Sequence, residues 1–354
     1  MKLWISLLKR NSRSLIVYSF RTMSRYQPSN DNKPVALITR RVPTAGEELL
    51  SKYCQIRKID GDLPPSREEL LKQIKDVDAL FCLLTDKIDS TVLDAAGPNL
   101  KVIGTMSVGY DHIDIEACKS RGIPVGYTPE VLTDATAELT VALLLNTSRR
   151  LSEGVHAVKA GLWGTWQPLW LCGQGLHHST VGIVGLGRIG LAIGRRLQPF
   201  GVDRFLYTGN TRKETAEQEI CATFVSMDEL LEQSDFVIVS CALTDQTKGM
   251  FNTEAFKKMK RNAILVNTSR GPVVNQDDLY LALKSGEIRA AGLDVTTPEP
   301  LPVDNPLLQL DNCVVLPHIG SATEETRSTM SLLTARNIIA ALNGEQMPCK
   351  IPGT

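Results

Sequence analysis

Thr180-Val181-Gly182-Ile183-Val184 runs directly into Gly185-Leu186-Gly187-Arg188-Ile189-Gly190. An apolar, β-branched run, glycines at this spacing and then an amphipathic stretch from Leu191 to Phe200 describe a strand that turns sharply into a helix. Gly185 permits the tight turn, Gly187 lets the backbone approach a pyrophosphate, and Gly190 lets the helix pack close to the strand. The helix N-terminus then offers free N–H groups to phosphate oxygens. A chain with this segment is expected to carry a dinucleotide-binding parallel sheet.

The next strand refines the expectation. Arg204-Phe205-Leu206-Tyr207 ends in Thr208-Gly209-Asn210-Thr211-Arg212-Lys213, with no acid where one would hold a ribose 2′-hydroxyl. Thr208 does not repel a 2′-phosphate, and Arg212 and Lys213 could neutralise one. NADP(H) is therefore favoured, with NAD(H) possible. The bland alternative is that the two cations only solvate a loop.

At 354 residues the chain suits two domains. Its 43% apolar and 22% charged content is that of a globular protein, and no stretch approaches the roughly 20 apolar residues of a membrane span. A net charge of zero gives no support for nucleic-acid binding. The eight cysteines form no CxxC pair, and several sit in apolar runs, as Cys82 does in Leu80-Phe81-Cys82-Leu83-Leu84. They are expected to be reduced core residues in a cytosol-like compartment, with no metal. Residues 1–30 carry six basic residues, several serines and no acid. They resemble a mitochondrial presequence; the alternative is an untargeted extension with Met23 as an internal start.

From residue 34 onward, short apolar runs alternate with amphipathic segments. Val35 to Ile38, Tyr53 to Ile59, Ala79 to Leu84, Val102 to Met106 and Pro124 to Gly126 are expected strands. A second series has six: Val181 to Val184, Arg204 to Tyr207, Phe236 to Ser240, Ala263 to Asn267, Ala290 to Asp294 and Cys313 to Leu316. Thr133 to Leu151 is expected to be one long connecting helix, and Glu324 to Leu342 a final helix free to cross back to the first unit. The expected fold is α/β, with two Rossmann-like or flavodoxin-like parallel-sheet domains and a cleft between them. The expected boundaries are an extension over 1–33, a substrate domain over 34–130 plus 320–350, and a cofactor domain over 131–319.

Open parallel sheets bind ligands at the carboxyl ends of their strands. Ser269-Arg270-Gly271, Asp294, Pro298-Glu299-Pro300 and Pro317-His318-Ile319-Gly320-Ser321 all follow strands of the second series. An arginine offers a fork for a carboxylate, and a histidine exchanges a proton near neutral pH. A nearby glutamate favours the imidazolium. Each alone has an ordinary structural explanation; the ordered set after a nucleotide turn does not.

From about residue 34 to 350 the chain resembles the D-2-hydroxyacid dehydrogenase family. The matching stretches are Ser107 to His112, Arg121 to Pro129, Gly185 to Gly190, Asn275 to Leu279, Gly292 to Pro302 and Leu316 to Thr323. The resemblance implies that Arg270 binds a 2-oxo acid, His318 donates the proton and Glu299 pairs with His318. It implies that the backbone at Val108 and Gly109 holds the substrate carboxylate, with Ser321 nearby. The cofactor set is Gly185, Gly187, Arg188, Ile189, Gly190, Asn210, Arg212, Lys213, Thr268, Asp294 and Gly320, with Asp294 on the nicotinamide side. Tyr110 stands where a smaller aliphatic can occur, a change that could trim the pocket.

Trp163, Trp166 and Trp170, three of the four tryptophans, crowd a loop-like stretch from Leu162 to Leu171. Aromatics this dense suggest either a partner surface or an intrachain core. The resemblance implies the former: a homodimer arm, with Trp166 reaching the neighbour's substrate site. The implied reaction is NADPH-dependent reduction of a small 2-oxo acid such as hydroxypyruvate or glyoxylate, to D-glycerate or glycolate. One rival is a cofactor-sensing transcriptional corepressor of the same fold. Another is a phosphoglycerate or formate dehydrogenase. Thr208 argues against an NAD sensor and against the formate enzyme.

Overall fold

The computed structural model describes residues 33–354. Among them, twelve strands form two separate sheets whose neighbouring strands all run parallel. The first sheet holds β1 (Val35–Ile38), β2 (Gln55–Lys58), β3 (Ala79–Cys82), β4 (Val102–Thr105) and β5 (Val125–Gly126), in the order β2-β1-β3-β4-β5. The second holds β6 (Thr180–Val184), β7 (Arg204–Thr208), β8 (Ala222–Phe224), β9 (Phe236–Val239), β10 (Ile264–Asn267), β11 (Ala290–Leu293) and β12 (Cys313–Val315). Its order, β12-β11-β10-β9-β6-β7-β8, reverses direction at the β6–β9 pair. A crevice opens at such a reversal, at the carboxyl ends of the strands.

The sequence pattern needs two corrections. The second sheet has seven strands, because Ala222-Thr223-Phe224 pairs with β7 at the edge. Only Ala222 of the three is buried, so the run lacks the apolar signal of an inner strand. The connecting helix also stops at Ser148, three residues before its expected end, and a second helix, Leu151–Lys159, follows. Arg150 lies between the two with a left-handed backbone, φ +56°, and binds Glu153 through both Nε and Nη2. Neither residue is a glycine or proline, so nothing in the local pattern announces the break.

Apolar clusters lie on both faces of each sheet. β3, β6, β9, β10 and β11 are buried throughout, as inner strands of parallel sheets must be. Each fully buried Leu, Ile or Phe there contributes about 2 kcal/mol. The final helix, Glu324–Leu342, packs on the first sheet's cluster through Met330, Ala335, Ile338 and Ile339. Ser331 Oγ donates to Pro43 O at 3.0 Å, and Asn337 Nδ2 donates to Tyr127 O at 2.9 Å. The chain thus returns to the unit it began in. Ile189, one residue into the glycine-turn helix, packs against clusters from both sheets.

All eight cysteines are free thiols. Cys54, Cys82 and Cys118 are buried, but Cys172 and Cys221 are exposed, so the core reading fails for those two. Among the described residues no helix is long and apolar enough to cross a membrane, and no cluster of ligands could hold a metal. The basic segment 1–30 lies outside the described residues.

Candidate active site

Gly185 follows β6 at φ +97°, a conformation that side chains rarely adopt. A Cβ on Gly190 would lie 2.4 Å from Gly185 O, so this glycine lets the helix Arg188–Leu197 sit against the turn. Gly187 is different: a Cβ there meets nothing within 4 Å. It is the N-cap, and no side chain caps the helix, which leaves the first helical N–H groups without a side-chain acceptor. These residues fit a dinucleotide pyrophosphate. Arg188, on the same turn, pairs with Glu130 of the first unit at 2.9 Å.

At the end of β7 the half-buried Thr208 leads to exposed Asn210, Arg212 and Lys213. Arg212 is not a bare cation. Its Nε and Nη2 both reach Glu217 at 2.9 Å, and Tyr207 also donates to that carboxylate. Arg212 Nη1 has no protein acceptor among the described residues.

Beyond β10, the buried Asn267 ties down the next turn. Its Oδ1 accepts from Ser269 N at 3.0 Å and Ser269 Oγ at 2.8 Å, and its Nδ2 donates to Arg270 O at 2.9 Å. Arg270 crosses to the first unit, where Nε donates to Asp111 Oδ1 at 3.0 Å. A methyl on Gly109 would sit 1.6 Å from Arg270 Nη2, so only a glycine lets the guanidinium lie on this backbone. Arg270 therefore lies against the Gly109 backbone, next in the chain to Val108. Thr268 Oγ1 lies 2.8 Å from Thr140 Oγ1. Thr140 already donates to Thr136 O, so the hydroxyl of Thr268 is the donor in this pair.

His318 and Glu299 come together: Nδ1 lies 2.9 Å from Oε2. His318 has φ +55°, a left-handed backbone worth about 1–2 kcal/mol of strain. The next two residues hold it there, with Ile319 N and Gly320 N each donating to the buried Asp294 carboxylate at 2.8 Å. Both Asp294 oxygens thus serve the backbone, a job the resemblance had not implied for this residue. Burial raises the Asp294 pKa against the pull of those N–H groups and His318. Glu299 shifts the other way. Burial pushes its carboxyl up, but the His318 hydrogen bond and charge, Thr296 N–H and Arg270 outweigh it and hold the pKa below the usual range. Glu299 is therefore ionised, with Arg270 close enough to act on it. Gln276 clamps the same turn, accepting from Thr297 N and donating to Thr297 O at 2.6 Å each.

Sequence reasoning passed over Asp111, His112, Thr105 and Asn267. Ser107 Oγ donates to Gly109 O at 2.7 Å, so its 2.8 Å contact with Thr105 Oγ1 takes Thr105's proton. Thr105 must then accept from His112 Nε2 at 3.0 Å, which fixes the tautomer as Nε2–H. Burial lowers the His112 pKa to about 4, so the ring is neutral. Thr105 and Asn267 each close an otherwise apolar strand, which was the available signal for those two. Tyr110 stands edge-to-face on Tyr127, ring centres 6.1 Å apart. Trp166 is 80% exposed.

Residues 141–320 match the model for the D-isomer specific 2-hydroxyacid dehydrogenase, NAD binding domain. The chain is 57% identical over 325 residues to a glyoxylate reductase/hydroxypyruvate reductase of Homo sapiens, an alignment covering 90% of this chain and 99% of that one. It is 49% identical over 322 residues to a glyoxylate reductase of Thermofilum pendens, covering 90% and 94% respectively. Among solved structures, an NADPH-dependent glyoxylate/hydroxypyruvate reductase from Sinorhizobium meliloti, in complex with NADP and malonate, superposes with a TM-score of 0.79. That match has 31% identity and covers 91% of this chain and 98% of the other. Sheet order, nucleotide turn and these likenesses agree, and the chain belongs to the D-isomer specific 2-hydroxyacid dehydrogenase family.

Proposed function

We propose that this chain reduces hydroxypyruvate to D-glycerate and glyoxylate to glycolate. The observation that carries the reading is the 2.9 Å His318–Glu299 pair close to an arginine that lies on the Gly109 backbone. Relatives that bear these activities in their names, at up to 57% identity, support it.

Arg270 and the backbone N–H groups at Val108 and Gly109 orient the carboxylate, with Ser321 beside them. When bound, the reduced nicotinamide supplies hydride to the carbonyl carbon. Ionised Glu299 accepts Nδ1–H, which holds the imidazole in one orientation with Nε2 free. His318 Nε2 then gives its proton to the carbonyl oxygen as negative charge develops there. Asp294 acts through the backbone, fixing the turn from which His318 projects.

NADP(H) is the preferred cofactor in this reading, with NAD(H) usable. Thr208 in place of an acid supports it, as do Lys213 and the unused Nη1 of Arg212. The substrate domain comprises 34–130 and 320–350, and the cofactor domain 131–319. The protein is a homodimer built on the Trp163–Trp170 segment. Trp166 and Leu169 are 80% and 86% exposed, and Leu151, Val155 and Val158 of the adjoining helix are also exposed. A cavity of about 540 Å³ lies beside them, lined by Arg150, His156, Trp170, Leu310 and Val315 among others. The compartment is the cytosol, or the mitochondrial matrix if residues 1–22 act as a presequence; N-terminal sequencing of the native protein separates these.

The test follows absorbance of the reduced nicotinamide with hydroxypyruvate and with glyoxylate, using NADPH and NADH in turn. Turnover of either acid, faster with NADPH, is expected. No turnover with any pair rejects the enzyme, and a higher kcat/KM with NADH rejects the cofactor preference.

A further inference from the structure

Arg270 is the residue on which substrate orientation depends, yet an arginine side chain has several rotatable bonds and much rotamer entropy. Something has to hold it. The guanidinium has five N–H donors in a fixed fork. Nε donates to Asp111 Oδ1 at 3.0 Å, and Nη1 donates to Ser269 O at 2.7 Å. These two bonds take the Nε proton and one Nη1 proton. One Nη1 proton and both Nη2 protons remain, and Nη2 is the nitrogen lying over Gly109. That leftover edge is the bidentate geometry a carboxylate needs.

Asp111 is itself rigidly mounted. On its flanks, Ile113 N donates to Tyr110 O at 3.0 Å, and Ile88 N donates to His112 O at 2.9 Å. The turn before it is held by Thr128 N on Ser107 O at 2.9 Å and by Ser107 Oγ on Gly109 O. Asp111 belongs to the first unit and Arg270 to the second, 159 positions later. The pair therefore bridges the two units.

We propose that Asp111 is a positioning residue for the reaction. It holds Arg270 by Nε–H so that the remaining Nη1 and Nη2 protons are presented to the substrate carboxylate beside Gly109. The role rests on the 2-oxo acid reductase reading above. It also has a second consequence. Arg270 acts electrostatically on Glu299, the partner that His318 requires. Released from Asp111, Arg270 becomes a competitor for that carboxylate; held, it stays with the substrate.

The test compares wild type with Asp111→Ala and Asp111→Asn by steady-state kinetics on hydroxypyruvate and NADPH, with thermal melts of each. Asparagine keeps an Oδ1 that accepts Nε–H but lacks the charge; alanine keeps neither. D111A is expected to raise the KM for hydroxypyruvate about tenfold or more, the scale of one charge-assisted hydrogen bond. The KM for NADPH stays within about twofold, and D111N recovers most of the loss. Two results overturn the proposal: a hydroxypyruvate KM in D111A within twofold of wild type, or equal defects in D111A and D111N that track a lowered melting temperature. A wild type inert on both acids is separate, since it rejects the reductase reading before any variant is made, and this role with it.

Discussion

His318 Nδ1 and Glu299 Oε2 lie 2.9 Å apart, although 19 positions separate them in the chain. Two turns make the meeting possible: the clamp of Gln276 on Thr297 and the Asp294 carboxylate under Ile319 and Gly320. The His318 hydrogen bond and charge help hold the Glu299 carboxyl below its usual range, so Glu299 is ionised at neutral pH. Glu299→Gln removes that charge while keeping an acceptor oxygen for Nδ1. Its kcat for hydroxypyruvate at pH 7 should fall about 10- to 100-fold with little change in Tm. His318→Asn should cost about 10² or more in kcat. A kcat in E299Q within about twofold of wild type would show that the carboxylate only positions the ring.

The glycine turn yields opposite outcomes from the same substitution at two positions. Gly190→Ala places a methyl 2.4 Å from Gly185 O and 2.9 Å from Ser240 Oγ. Backbone has to move, which costs about 1–3 kcal/mol and lowers Tm by about 5 °C. Gly187→Ala meets nothing within 4 Å and sits at φ −85°, which alanine tolerates. Its Tm should stay within about 2 °C of wild type while the Kd for NADPH rises about tenfold or more, as the methyl occupies the phosphate's approach. Fluorescence titration and thermal melts check both. Intact NADPH binding in G187A would place the pyrophosphate elsewhere.

What the sequence made legible follows from where its signals are local. The glycine turn, the alternating strands and the helix Glu324–Leu342 each show in a window of twenty residues, and the structure has them at nearly those limits. Arg270, Glu299 and His318 were legible because all three follow strands of one sheet. Asp111 was not, since its partner lies 159 residues away on another sheet. β8 was missed because an exposed edge strand of three residues carries no apolar period. The left-handed backbone at Arg150 falls on a residue that is neither glycine nor proline, so composition does not encode it.

Arg212 offers a sharper test of cofactor choice than Thr208, because Glu217 engages its Nε and Nη2 while Nη1 has no acceptor among the described residues. A 2′-phosphate would add to that pair. Arg212→Ala should raise the KM for NADPH about tenfold and leave that for NADH within about twofold. Equal effects on both cofactors would assign Arg212 to holding the loop through Glu217.

His112 carries a pH-dependent penalty. Its ordinary pKa is 6.5 and burial lowers it to about 4 in the fold. Above pH 6.5 the ring is neutral folded or unfolded, so it adds nothing. As pH falls from 6.5 towards 4, the unfolded chain takes up a proton that the folded chain refuses, and stability is lost. Across that window the loss approaches about 3 kcal/mol. His112→Gln keeps an N–H for Thr105 without titrating. Melting temperatures of wild type and H112Q should converge or cross as pH drops from 7 to 4.5; parallel curves would contradict a neutral buried ring.

Trp166 and Leu169 are the last test, because a monomer has no use for two side chains at 80% and 86% exposure on one ten-residue segment. Light scattering should give a mass twice the 38.9 kDa of one chain. Leu169→Asp combined with Val158→Asp puts two charges into the apolar face and should yield monomer. Trp166→Ala should remain dimeric but raise the KM for hydroxypyruvate, if this indole reaches the substrate site of the second copy. The two variants separate assembly from catalysis. A wild type that is monomeric at full activity would leave the exposed aromatics to some other partner and remove Trp166 from the site.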